Sequence, residues 1–168
     1  MLNKRQQFYI MKKLLFTLIA GAALFTMNLS SANAQNYKTA LGLGLDFGNG
    51  PTLVGPSIKH FFNNTGAGQA EVLFGGNSTR VQAFYQYHGA IQGAQGLKWY
   101  VGGGPGINFF SVGGYSQTNL VLIPQAGLDF KIPGAPIQMG FDWRPTAWIG
   151  DNSEFEAGRF GFGFRFTF

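Results

Sequence analysis

The last ten residues, RFGFGFRFTF, alternate without a break: Phe160, Phe162, Phe164, Phe166 and Phe168 fall on one side, and Gly161, Gly163, Arg165 and Thr167 on the other. A period of two marks an extended strand with one apolar face. Moving backwards, Ile137, Met139, Phe141 and Trp143 alternate with Gln138, Gly140, Asp142 and Arg144. Leu122, Pro124, Ala126, Leu128 and Phe130 alternate with Ile123, Gln125, Gly127 and Asp129. Leu97, Trp99 and Val101 oppose Lys98 and Gly102, and Val81, Ala83, Tyr85 and Tyr87 oppose Gln82, Phe84, Gln86 and His88. Ala70, Val72 and Phe74 oppose Glu71 and Leu73; Leu41, Leu43, Leu45 and Phe47 oppose Gly42, Gly44 and Asp46. The least regular segment is VGPSIKHFF, where Ile58 is placed outward and Lys59 inward. No period of 3.6 survives beyond residue 34.

Eight strands with the same one-sided apolar pattern, and no helix to cover them, predict an all-β fold. The expectation is an eight-stranded antiparallel up-and-down transmembrane β-barrel over residues 35–168, with strands of about 9–11 residues tilted across a bilayer. Closure of the first strand on the last satisfies every backbone group, as hydrocarbon requires. The fold-level rival, a soluble β-barrel, has to bury the Phe face of 160–168 and turn Arg159 and Arg165 outward. An even strand count places both termini on the periplasmic side. Segments 48–51, 75–80, 103–118 and 146–157 are then expected as outer loops, and 63–68, 89–96 and 131–136 as periplasmic turns.

Composition supports this. Only 11% of the 168 residues are charged, whereas 16% are aromatic and 26 are Gly; soluble domains carry about 25% charged residues. The chain has no Cys, which removes disulfides and thiolate metal sites. Met11-Lys12-Lys13, the apolar run Leu14–Met27 and the sequence Ala32-Asn33-Ala34 read as an export signal with an A-x-A cleavage site. Residues 1–34 are therefore expected to be removed, with Met11 as the start, and no Cys is present to carry a lipid anchor. Without the signal's Lys4, Arg5, Lys12 and Lys13, eight basic residues face seven acidic ones. The basic balance thus reflects targeting and gives no warrant for nucleic-acid binding.

At the level of pattern, residues 35–168 resemble the small eight-stranded outer-membrane barrels of the OmpA/OmpX type. The most specific element is the C-terminus, where Gly163, Phe166 and Phe168 resemble the signature read by the barrel-assembly machinery. Gly161 departs from that pattern, which usually has a polar residue there. The stretch GLDFKIPGAPIQMGFDWRPT is similar to the penultimate hairpin of small outer-membrane barrels of uncharacterised role. The resemblance implies an outer-membrane location, a lipid environment and assembly-machinery contact; it implies no catalytic residue, metal or cofactor.

The inward charges carry the most functional information. Asp46, Glu71, Asp129 and Asp142 face Lys59, Lys98, Arg144, Arg159 and Arg165, nearly balanced in sign. Unpaired ions in a narrow barrel are costly, so mutual pairing is expected, with Asp142 and Arg159 at similar depth. His60 and His88 lie on different strands without metal or catalytic spacing and read as polar interfacial groups. Trp99, Trp143, Tyr85 and Tyr87 read as interfacial aromatics. GGGPG at 102–106 opens no helix and reads as inward glycines relieving crowding. Three functions follow: a plugged barrel acting as a platform for its outer loops, a narrow channel or transporter for ions or small or hydrophobic solutes, and an enzyme, for which no motif speaks.

Overall fold

The computed structural model describes residues 37–150 and 153–168; the expected export signal lies outside them. Ten strand segments form one antiparallel sheet: β1 (Thr39–Gly48), β2 (Leu53–Phe61), β3 (Gly66–Gly75), β4 (Ser78–Ala90), β5 (Leu97–Val112), β6 (Tyr115–Lys131), β7 (Ile137–Trp143), β8 (Thr146–Ile149), β9 (Phe155–Glu156) and β10 (Arg159–Thr167). Neighbours in sequence pair, except β7 with β8 and β9 with β10, and β10 pairs with β1 over nine residue positions, from Gly48↔Arg159 to Ala40↔Thr167. The sheet is thereby closed.

The ring has eight strands, because β7 and β8 occupy one position. Ala126↔Trp143 and Leu122↔Ala147 keep the same register against β6, so these two segments are one strand interrupted at Arg144 and Pro145. Opposite them, β9 and β10 form the last strand, with a one-residue slip between Thr146↔Glu156 and Trp143↔Phe160. The indole N–H of Trp143 donates to the Ala157 carbonyl at that slip, 2.7 Å away.

Register also fixes the girth. From Leu43 the ladder leads one way through Phe164, Met139 and Phe130 to Leu97. The other way it passes through β2 and β3 to Val81 and Ile107. The two routes meet β5 ten residues apart. For eight strands, that stagger corresponds to a tilt of about 40° and an interior that side chains fill.

The polarity is inverted relative to a soluble domain. Among the described residues nine apolar ones are buried, against twenty polar or charged ones, while Leu43, Phe74, Tyr85, Val101, Leu122, Phe141 and Phe166 stand exposed on the outside. This arrangement excludes the soluble rival, whose Arg159 and Arg165 would face out: both are buried here.

Three expected loops are corrected. Residues 103–118 are the ends of β5 and β6, joined by the two-residue turn Gly113-Gly114, both with positive φ. Residues 75–80 reduce to a turn at Gly76-Asn77, and 146–157 contains β8 and β9. The strands β4, β5 and β6 accordingly run to 13, 16 and 17 residues, longer than expected. The paired β5–β6 ribbon rises past its neighbours: β4 starts opposite Phe110, β8 ends opposite Leu120, and residues 115–119 of β6 pair only with β5.

Candidate functional site

The interior contains a charged column built from inward positions of nearly every strand. Its hub is Glu71 on β3. One carboxylate oxygen accepts from Ser57 Oγ at 2.9 Å, Gln69 Nε2 at 2.9 Å and Arg165 Nη2 at 3.2 Å. The other accepts from Arg144 Nη1 at 2.9 Å and Gln82 Nε2 at 2.7 Å. Arg144 turns its remaining edge onto Asp142 two residues back on its own strand, with Nε at 2.6 Å and Nη2 at 2.8 Å from the two oxygens. Such two-pronged contact uses the planar guanidinium fork, which Lys cannot reproduce.

Towards the end away from the termini, Asp46 accepts from Arg159 Nε at 2.8 Å and lies 3.5 Å from Arg80 Nη1. Arg159 also donates to the backbone carbonyls of Asn49 and Pro51, tying the β1–β2 turn to the last strand. At the terminal end, Asp129 accepts from Lys59 Nζ at 2.8 Å and Tyr37 OH at 2.9 Å. Tyr100 links the two levels: its hydroxyl donates to Asp142 at 2.7 Å, and Lys59 Nζ lies 4.6 Å over its ring.

Every carboxylate of the column has a basic partner within 4 Å, and all of these side chains are buried. The fit depends on absent side chains elsewhere. A Cβ added at Gly161 or Gly163 would fall on the guanidinium of Arg144 or Arg165, and one at Gly44 would crowd the Glu71 carboxylate. At these three positions glycine leaves space for a charged neighbour, whereas at Gly42, Gly102 and Gly104 an added Cβ would meet the backbone of the adjacent strand.

The expected partnership of Asp142 with Arg159 is replaced. In the β7–β10 ladder Asp142 faces Gly161, so Arg159 lies two residues further along and reaches Asp46 instead. Lys98 lies apart from the column: its Nζ sits 5.1 Å over the Phe61 ring, and no carboxylate lies within 4 Å of it among the described residues. His88, expected at an interface, is buried inside, stacked on Tyr100 with ring centroids 5.1 Å apart. His60 points the other way and contacts Thr39 Oγ1 at 2.9 Å. Of the C-terminal residues, Phe166 and Phe168 face outward and Gly163 inward; the Phe168 backbone N–H donates to Thr39 O at 2.8 Å.

The alternation places Gln82, Gln86, Gln125 and Gln138 inward without joining them to the charge network, and it misses Arg80, Tyr100, Ser57 and Gln69. Extending the alternation of β4 back by one step, from Gln82 to Arg80, would have found the fifth base of the column. It was hidden because 75–80 reads as a loop.

A second interior region differs in kind. Phe84, Val121 and Ile123 pack together under Trp148 on the β4–β6 and β8 side. Arg144 and Arg80 lie over the rings of Phe84 and Trp148, at 5.7 and 5.4 Å, and separate this apolar patch from the column.

No protein-family model matches the chain, and no curated protein matches its sequence. Among solved structures, the N-terminal β-barrel domain of Pseudomonas aeruginosa OprF superposes with a TM-score of 0.58 at 18% identity, covering 79% of this chain and all of that one. Neisserial surface protein A superposes with a TM-score of 0.51 at 17% identity, covering 77% of this chain and 94% of that one. The chain thus has the fold of eight-stranded outer-membrane β-barrels.

Proposed function

We propose that the chain is an outer-membrane β-barrel whose interior is closed to ions and which presents its β5–β6 ribbon, with the segment around β8 and β9, as a surface-interaction platform. The apolar exterior supplies the membrane-facing surface and residues 1–34 the export signal. The end bearing Tyr37 and Phe168 faces the periplasm, and the ribbon faces outside. Contact with the assembly machinery during biogenesis falls to the Gly163–Phe166–Phe168 signature.

The observation that carries the closed interior is the Glu71 hub, which joins side chains from β2, β3, β4, β8's preceding Arg144 and β10 across the full width of the barrel. A pore needs a continuous aqueous path, whereas paired ions held by five donors to one carboxylate occupy the cross-section. Purified protein in planar bilayers is therefore expected to show no steady conductance. Long-lived, reproducible conductance steps would replace this reading with the channel. The platform role is tested separately by replacing residues 108–119 with a two-residue turn: the shortened barrel should reach the membrane, and whole cells carrying it should bind surfaces and soluble proteins less than cells carrying the intact protein; equal binding would remove the platform role.

A further inference from the structure

Four prolines interrupt strands of this barrel rather than turns, and two of them face each other. The common register of Ala126↔Trp143 and Leu122↔Ala147 puts Pro124 opposite Pro145. Neither has an N–H, so this position can form neither of the two backbone bonds that an antiparallel pair exchanges. Pairing between β6 and its neighbour accordingly stops at Ala126↔Trp143 and resumes at Leu122↔Ala147. A second, shorter gap lies on the other flank of the same ribbon. There Pro105 interrupts the β4–β5 ladder between Gln82↔Gly106 and Tyr85↔Gly103.

Side chains do not repair the larger gap. At Pro56, the other interrupted wall position, Ser57 Oγ bonds to Glu71 across β2 and β3 beside the gap. Between β6 and β7–β8, no side-chain hydrogen bond is present among the described residues. Gln125 reaches Gln86 on β4 instead, leaving its Nε2 without a partner.

The gap lies at the apolar patch. The register puts Ile123 opposite Thr146 beside the prolines, and Ile123 packs with Phe84 and Val121 under Trp148. Pro124 is seven residues along β6 from Lys131. At about 3.3 Å per residue and a tilt of about 40°, that is roughly 18 Å up a band about 25 Å tall, within its outer half. Among the described residues, the buried indole N–H of Trp148 has no hydrogen-bond partner, which is unfavourable in an apolar setting.

We propose that the wall parts between β6 and β7–β8 at Pro124 and Pro145, and that the seam admits an acyl chain of an outer-leaflet lipid to the Phe84–Val121–Ile123–Trp148 patch. Three features meet at one height: missing backbone bonds, a cluster of buried apolar side chains behind them, and an indole donor suited to the ester carbonyl that heads an acyl chain. The seam is lateral and leaves the charged column intact, so it is compatible with a barrel closed to ions. It rests on the membrane placement proposed above.

The experiment uses the absence of cysteine from the chain. In a Trp99→Phe/Trp143→Phe background, Trp148 is the sole tryptophan, and Ile123→Cys with Thr146→Cys gives a disulfide across the seam. The folded protein is placed in vesicles of brominated phosphatidylcholine, whose bromines quench nearby indoles. Trp148 emission should fall about twofold relative to unbrominated vesicles when the cysteines are reduced, and recover on oxidation. Pro124→Thr/Pro145→Thr, which restores the ladder without cysteines, should suppress the quenching in the same way. Trp148 emission that brominated lipid leaves unchanged, or quenching that neither the disulfide nor the threonines reduce, overturns the seam. A companion protein retaining only the outward Trp99 separates the two readings. If Trp99 is quenched and Trp148 is not, the seam fails and the membrane placement stands; if neither is quenched, both fail.

Discussion

The two sides of this barrel are held by different means. Where β1 meets β10, the ladder is continuous over nine positions, and the interior beside it is a charged column anchored on Asp46, Glu71, Arg159 and Arg165. Where β5 meets β4 and β6 meets β7–β8, the ladder is broken at prolines, and the Phe84–Val121–Ile123 patch packs behind it. In a bilayer the first construction is the more binding of the two. Hydrocarbon offers no substitute for a lost ionic partner, whereas an apolar patch exchanges its contacts for lipid contacts at little cost. The continuous, ion-paired construction lies where the chain's ends are joined, and the interrupted one where a tall ribbon is rooted.

The largest disturbance should come from removing the hub. Glu71→Ala leaves Arg144 and Arg165 short of a counter-charge in the interior, and should destabilise the refolded barrel by about 3–5 kcal/mol. Urea unfolding in detergent, followed by the gel-mobility difference between folded and heated protein, measures it. An effect below that of an exterior substitution such as Leu43→Ala would show that the column does not hold this wall.

Next in size is Gly161→Val. Its added atoms meet the Arg144 guanidinium, so the loss should be about 1–3 kcal/mol by overpacking. The same change at the exposed turn Gly134, which has nothing within 4 Å of an added Cβ, tests backbone strain without crowding. Its positive φ makes the comparison informative: strain alone should cost less than the collision inside.

Opposite in sign is Pro124→Thr/Pro145→Thr. Supplying two N–H groups to the broken ladder should stabilise the barrel, by about 1 kcal/mol for each bond formed. Hydrogen exchange of the β6 and β8 amides should slow in parallel. No change in either quantity would mean that the seam is already as firm as the β1–β10 junction.

Smallest in stability is Phe168→Ala. The substitution keeps the backbone bond to Thr39 and removes one exposed ring, so unfolding should shift by less than about 0.5 kcal/mol. The amount of folded protein in membranes should nonetheless fall severalfold, as the assembly role proposed for the terminal ring requires. Equal membrane levels for mutant and wild type would remove that role.

Facing was legible in the sequence and depth was not. Alternation assigned the inward side of β1, β4, β6, β7 and β10 because each bears side chains of contrasting polarity at successive positions. It fails at Gly102–Gly106, where four glycines give no contrast and the pattern past residue 103 looks like a loop, whereas β5 continues to Val112. Depth requires the inter-strand register, which no single strand contains; for that reason Asp142 was matched with Arg159 when both have other partners. The prolines were visible as residues on an alternating face. That Pro124 and Pro145 stand opposite each other emerges only once β6 and β7–β8 are aligned.

The closure between β1 and β10 has a kinetic side. Asp46 and Arg159 are separated by 113 positions in the chain, and their contact exists only when the first and last strands meet. Each hairpin from β1 to β7 can form from local pairings, but this junction must overcome the chain entropy of a loop that includes nearly the whole barrel. Joining the ends is thus expected to be the late, slow step of folding, with the ion pair that fixes the far rim forming after the local hairpins.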